Sequence, residues 1–278
     1  MVYLQKDLQI FYCLGRVTEL KHTQKTRQYS YYCHKMLLKF KFLENIMAEH
    51  IYKQFDSDLG DVRTKVLEMG TIVEEQISNS VLSMVESDTK LAGEVITRDS
   101  EVNSLESVIN EDISLIIAKR SPTAGDLRNV LMMFRIITDL ERIGDEAAKI
   151  AKATIRIFES DRMSKPRFKE IKSIAANVQS MLKSSLNAFA RLDTEDTINV
   201  LKKDEEVDDD YRSFMRQLVT FMLEDPRTIS MSLESMFIAK SLERIGDHAV
   251  NISQSVIYTV KGKDVRHSSL KEIKKELS

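Results

Sequence analysis

The chain has 278 residues, with 41 Lys or Arg against 43 Asp or Glu, a net charge of -2, only 8 Gly and 3 Pro, and no Trp. The balance excludes the one-signed field by which a protein holds nucleic acid or an anionic membrane, and so few breakers exclude the many turns of a sandwich or barrel. What remains is an all-α chain, long enough for two domains with real cores. Cys13 and Cys33 are its only cysteines, too few for a disulfide framework and consistent with a reducing compartment. No stretch approaches the roughly 18 uninterrupted apolar residues of a membrane span. A cytoplasmic protein is expected.

Residues 1–46 differ from everything after them. They hold both cysteines, His22, His34, several basic residues and the aromatics Tyr29, Tyr31 and Tyr32, without clean helical periodicity. The apolar region and cleavage site of a secretory signal are missing, and the Cys and His spacings fit no compact zinc finger. The segment reads as an atypical extension, either a stretch upstream of a natural start at Met47 or a tail that touches a membrane or a partner. The first is preferred, because the periodic pattern begins immediately afterwards. From Phe55, apolar residues at Leu59, Val62, Val66, Met69, Val73 and Ile77 alternate steps of four and three, which predicts a long amphipathic helix. A second helix is predicted from Asp88 to about Ala118. A third opens at Ser121-Pro122-Thr123, where Thr123 and Asp126 resemble a capping box, and runs to about Ser160. The charged stretch Asp161 to Lys165, followed by Pro166, marks a domain boundary.

Beyond it the order repeats, with helices from about Phe168 to Arg191, from Thr194 to Leu223, and one opened by Asp225-Pro226, a pairing suited to an N-cap and first turn. The expected organisation is an extension over 1–46, three-helix repeats over 47–163 and 164–265, and a charged tail over 266–278. The repetition reaches single residues: Leu140-Glu141-Arg142-Ile143-Gly144-Asp145 returns as Leu242-Glu243-Arg244-Ile245-Gly246-Asp247, and Asp88-Thr89 returns as Asp193-Thr194. Repeats of this size exceed a solenoid unit and favour tandem bundles.

Within each signature the aliphatic seam, Leu140, Ile143, Ala147 and Ile150 or Leu242, Ile245, Ala249 and Ile252, packs inward at helical spacing. Glu141 with Asp145, and Glu243 with Asp247, share another face beside Gly144 or Gly246. Like charges four apart cost a helix a few tenths of a kcal/mol, and a mid-helix Gly costs about 1 kcal/mol against Ala. Two unfavourable choices made twice call for a compensating interaction, and a hard cation supplies one. Oxygen-rich sites suit iron, manganese, magnesium or calcium, whereas the lack of Cys and paired His disfavours zinc. Further ligands are expected from the preceding helix, from Asp99, Asn103 and Glu106 in the first half and Asp204 and Asp208 in the second. Tyr211 replaces the third of these, so the two sites need not be equal. His248 could add a nitrogen, although a solvated surface His is preferred.

The competing interpretation is that the acidic faces are ordinary solvated surface, with Arg142 or Arg244 neutralising them as ion pairs worth about 0–1 kcal/mol. A carboxylate-bridged metal enzyme or iron-storage bundle would use the same residues, but such proteins pair Glu-x-x-His motifs inside one four-helix core, and neither signature helix has that motif. A purely structural scaffold is the third alternative. No Gly-rich phosphate loop or Ser-His-Asp set is evident, so no enzyme is expected. Met132, Met133, Met181, Met231 and Met236 are read as core filling.

The paired signatures, the segment from Ala118 through Arg128 that contains Ser121-Pro122-Thr123-Ala124-Gly125-Asp126, and Glu224-Asp225-Pro226-Arg227-Thr228-Ile229 together resemble the PhoU family over about Met47 to His267. The resemblance implies two pseudo-symmetric three-helix bundles, frequent homodimers, and multinuclear clusters of divalent or trivalent metal ions on the acidic motifs. It also implies negative regulation of the phosphate-starvation regulon and of phosphate uptake. The implied partners are the ATPase subunit of the phosphate ABC transporter and a sensor histidine kinase, through which alone the protein would meet the membrane.

Overall fold

The computed structural model describes the backbone of residues 24–159, 168–266, 268 and 270–277, and the side chains of residues 54–159, 169–266, 268 and 270–275. The chain divides into two compact units, Met1–Ser57 and Asp58–Ser278. In the first unit residues 24–57 are helical, as the opening stretch of α1 (Gln24–Glu86). Helix over 24–46 was not expected from periodicity. Its physical reason is the lack of any Gly or Pro between Gly15 and Gly60, in a run rich in Lys, Leu, Met and Gln, all good helix formers. Residues 1–23, which include Cys13 and His22, and the boundary expected at 161–166 lie outside the described residues.

The second unit contains the rest of α1, then α2 (Thr89–Arg120), α3 (Ala124–Glu159), α4 (Phe168–Arg191), α5 (Glu195–Glu224), a 3-10 turn (Pro226–Thr228), α6 (Ile229–Lys261) and α7 (Leu270–Leu277). Among the described residues there is no strand, and the fold is all-α. The turns explain the boundaries. Asp88 accepts the Lys90 and Leu91 N–H groups, each at 3.0 Å, and caps α2. Ser87 (φ 62°) and Leu192 (φ 52°), each directly before a turn aspartate, take the left-handed conformation at matched places in the two repeats. At the start of α3 the Thr123 carbonyl accepts the Asp126 N–H at 3.0 Å. Asp225 accepts the Arg227 N–H at 3.0 Å, but what it caps is the 3-10 turn, so α6 begins only at Ile229. Gly262, at φ 72°, closes α6.

Helices α1 and α2 run antiparallel, tied by Lys65 to Asp112 at 2.6 Å and by Arg120 to Asp58 at 2.9 Å. Helix α3 packs on α2 to complete the first bundle, and α4, α5 and α6 pack mutually to form the second. The bundles meet along α3 and α6. Arg156 pairs with Glu234 at 2.7 Å, Arg244 with Glu146 at 3.0 Å, and Asn251 donates to Asp139 at 3.2 Å, so these two helices are also antiparallel. Both signature seams are fully buried, from Leu140 to Ile150 and from Leu242 to Ile252. Each such aliphatic side chain contributes about 1.5–3 kcal/mol by leaving water, which far outweighs the surface ion pairs. The seam of α1 is buried from Val62 to Ile77, with Leu59 half-buried. Met132, Met133 and Met181 fill core, whereas Met231 and Met236 are half-buried. The charged stretch read as a tail contains α7, whose Ile273 packs with Val265, Ile257 and Leu201.

Among the described residues Glu146 is the one carboxylate buried in this core, 4% exposed, with Lys149 at 2.8 Å and Arg244 at 3.0 Å. Removing one cation from a buried acid leaves part of its desolvation uncompensated. Arg244→Ala is therefore expected to cost about 1–3 kcal/mol in urea unfolding. Arg156→Ala, which breaks a more exposed pair, should cost below about 1 kcal/mol.

Candidate functional site

Each signature helix turns its carboxylates toward the helix that precedes it in the same bundle. In the first bundle Asp99 of α2 reaches Asp145 of α3, and Glu141 lies near Asp145, Glu106 and Asp99. Burial pushes the Asp99 carboxyl above the ordinary range, and the Asp145 charge adds to the rise, while the Gln76 amide and Lys152 hold it back. Glu141 is raised by burial first and by Asp145 next, against Arg142. In the second bundle Asp204 of α5 is pushed up to about 7 by burial, then by Asp247, Asp208, Glu243 and Glu205. Asp247, open to solvent on one edge, is nonetheless raised by desolvation first and by Glu243 second, with Lys240 opposing. Raised carboxylates that perturb one another mark groups held close at a cost.

The residues expected from the sequence thus gather into two clusters, Asp99, Glu106, Glu141 and Asp145 in one, Asp204, Asp208, Glu243 and Asp247 in the other. Asn103 is exposed, and its backbone carbonyl accepts the Ser107 hydroxyl at 3.0 Å. Among the described residues no three acidic or imidazole groups close into a preformed cage. The first cluster does hold orphaned polar atoms. Asp99 Oδ1 and both polar atoms of the Gln76 side chain are buried without a hydrogen-bond partner. The Gln76 amide nonetheless lies within reach of Asp99 and lowers its carboxyl as a side-chain hydrogen bond does. Two of these atoms, Asp99 Oδ1 and Gln76 Oε1, are oxygens of the kind hard cations take, while Gln76 Nε2 is a donor suited to the Asp99 carboxylate.

The surface-pair interpretation is met only in part. Arg142 stays on its own helix, at 3.4 Å from Glu141 and 3.9 Å from Asp145, whereas Arg244 leaves its signature for Glu146 in the other bundle. His248 is not a solvated surface residue: its Nδ1 lies 2.8 Å from Asp139 across the joint between bundles. Sequence reasoning missed three groups near the clusters. Gln76 is one, and it was signalled only by being a polar residue on a buried stripe of α1. Lys240 pairs with Glu243 and stands over the Tyr211 ring at 5.6 Å. Tyr211 was noted as a replacement but not as a partner for a cation.

The glycines differ in what they admit. A Cβ on Gly144 would sit 3.1 Å from Gln76 Oε1 and 3.2 Å from Asp99 Oδ1, while one on Gly246 would meet Met181 Cε at 3.5 Å and Asp204 Oδ1 at 3.7 Å, ordinary contacts. Gly246→Ala is expected to raise stability by up to about 1 kcal/mol through helix propensity. Gly144→Ala should give less or none of this, because Gln76 and Asp99 must move; thermal unfolding of the two variants checks the difference.

Comparison with known proteins places this geometry. The PhoU domain model matches twice, over residues 66–154 and 171–256. The chain is 42% identical over 232 residues to a phosphate-specific transport system accessory protein PhoU homolog of Pseudomonas aeruginosa, covering 83% of this chain and 95% of the relative. It is 41% identical, with 84% and 95% covered, to the phosphate-specific transport system accessory protein PhoU of Escherichia coli K12. The crystal structure of PhoU from Pseudomonas aeruginosa superposes with a TM-score of 0.72 over 75% of this chain and all of that one. The phosphate transport system regulatory protein PhoU from Streptococcus pneumoniae, 27% identical, gives 0.70 over 76% and 99%. With two matched domains, each a three-helix bundle carrying one acidic signature, the chain belongs to the PhoU family.

Proposed function

We propose that this protein is a negative regulator of the phosphate-starvation response and of phosphate uptake, acting at the cytoplasmic side of the membrane without catalysing a reaction. In this reading it is an adaptor, as a homodimer, between the ATPase subunit of a phosphate ABC transporter and a sensor histidine kinase. The observation that carries it is family membership over both repeats, with relatives named as accessory proteins of the phosphate-specific transport system. The helical unit supports it, since a rigid bundle pair offers long faces to partners. Deleting the gene is expected to raise alkaline phosphatase in phosphate-rich medium. Tagged full-length protein from phosphate-replete cells should retain the kinase and the transporter ATPase. Unchanged phosphatase together with recovery of neither partner would sink the reading.

The acidic clusters are proposed to bind metal ions. Asp99, Glu106, Glu141 and Asp145, and on the other side Asp204, Asp208, Glu243 and Asp247, would hold a hard divalent or trivalent ion such as iron, manganese or magnesium. Such an ion supplies positive charge that offsets carboxylate repulsion and stiffens the helix faces. Support comes from the carboxylate oxygens gathered in each cluster and from the mutual repulsion and burial that raise Asp99, Glu141, Asp204 and Asp247.

Asp204 gives a pH test in metal-free protein. Its carboxyl, ordinarily at 3.8, is raised to about 7 in the fold. Between those values the folded chain binds more protons than the unfolded one, so stability is expected to fall as pH rises from about 4 to about 7. Asp204→Asn should flatten that slope in urea unfolding at a series of pH values.

A further inference from the structure

We propose that the α5–α6 end of the second bundle is where a second copy of this chain docks, with α5 lying antiparallel against α5 of the other copy. The inference rests on the homodimer of the reading above and adds to it the surface, the register and the residues that decide it.

The short turn over 225–228 folds α6 back along α5, and Lys240 over the Tyr211 ring, 5.6 Å from its centroid, fixes how the two helices lie side by side. Counting from that contact toward the turn, Met215 comes level with Met236, Val219 with Leu233, and Met222 with Ile229. Much of this apolar set is uncovered: Leu223 is 80% exposed, Phe237 61%, Val219 47%, Leu233 44% and Ile229 41%. Val219 and Leu223 stand four apart on α5, as Leu233 and Phe237 do on α6, so each pair shares a face. Apolar residues gathered in this way at one end of a bundle mark a contact surface, which single scattered ones do not.

The first bundle shows that the fold does not require them. Ser114 stands where α5 has Val219, and Ala118 where it has Leu223, counted from Asp99 and Asp204. Arg135 stands where α6 has Phe237, counted from the two signatures. All three are exposed too. Surface positions that are small or polar in one repeat are thus large and apolar in the other, and the bundle itself gains no packing from the change.

The charges beside the patch indicate its occupant. Arg216 and Glu224 are exposed on α5 on either side of Val219 and Leu223. Among the described residues neither has an ion-pair partner, whereas Arg212 is held by Asp208 and Asp209, and Arg227 by Asp225. Two α5 helices laid antiparallel about a twofold axis at Thr220 put each Arg216 opposite Glu224 of the other copy, with Val219 and Leu223 between the two pairs. Residue i then meets j and j meets i, as an isologous contact requires. The surface is complementary to itself. At the matching place the first bundle carries Glu111 and Lys119 with only Ser114 and Ala118 between them, so it lacks the apolar centre that supplies affinity.

Sedimentation velocity on the full-length protein over a range of concentrations tests this. The wild-type chain is expected to dimerise. Val219→Ser with Leu223→Ala and Phe237→Arg, which installs the first bundle's own residues, should leave the thermal transition unchanged and weaken the dimer about tenfold or more, as loss of a central anchor does. Should that variant not fold, Leu223→Ala alone serves in its place. Arg216→Glu and Glu224→Arg should each weaken association about tenfold or more, because each sets like charges face to face across the axis. An equimolar mixture of these two variants should recover the wild-type dimer, since every 216 then meets the opposite sign at 224, a recovery that a merely structural role for either residue would not give. A dimer that all these substitutions leave intact overturns the interface while the homodimer stands. Weakening by both reversals without recovery in the mixture overturns the antiparallel register. A wild-type chain that stays monomeric at every concentration, as when a different protein covers the patch, overturns the homodimer as well.

Discussion

The antiparallel contact between α3 and α6 is the constraint on which the rest of the second unit depends. Each signature helix must bury one aliphatic face in its own bundle and another side against its counterpart, and that leaves only one sector free for charge. The pairs Asp139 with Asn251, Glu146 with Arg244 and Arg156 with Glu234 keep one register throughout. That register brings Gly144 level with Gly246, equivalent positions in the two repeats. The acidic sectors consequently point away from the joint, each into the groove lined by the preceding helix. The geometry that joins the bundles is also what gives every acidic cluster walls from its own bundle.

The position of Glu141 and Asp145 beside a glycine then has a local explanation. Asp99 approaches α3 closely because Gly144 carries no side chain, and the approach removes Asp99 from water. The helix gives up propensity worth about 1 kcal/mol at that position. In exchange it brings Asp99 close to Glu141 and Asp145, carboxylates that are hard to ionise together. Stability and charge concentration oppose each other here, and the buried seams supply the surplus that makes the arrangement tolerable.

Much of this was legible in the sequence. Steps of three and four located the seams, and the turn aspartates located the helix starts to within a few residues. The repeat itself identified which carboxylates share a face. Periodicity reports only a residue's direction on its own helix, however, and says nothing of which neighbouring helix stands opposite. That is why His248 looked solvated until Asp139 was found facing it, and why Glu146 gave no sign of being buried. It is also why Gln76, on a helix far from the signatures in sequence, was not expected beside Asp99. The helix over 24–46 was missed for the opposite reason: the seam was sought, whereas the absence of Gly and Pro was the stronger signal.

The joint departs from symmetry at the positions nearest the clusters, and the departure has an electrostatic logic. Glu146 is matched in the second repeat by His248, and Asp139 by Ser241. Were both repeats to carry Glu at that place, Arg142 would have a partner across the joint as Arg244 does, and both arginines would be drawn away from their own signatures. With His248 engaged by Asp139 instead, Arg142 remains beside Glu141 and Asp145 while Arg244 is committed to Glu146. The second cluster, deprived of its arginine, has Lys240 in its place. The first acidic face therefore keeps the exposed Arg142, with Lys152 near Asp99, and the second keeps Lys240 over the Tyr211 ring. A duplicated helix pair has in this way been made into two chemically different surfaces without any change to the seam that holds it together.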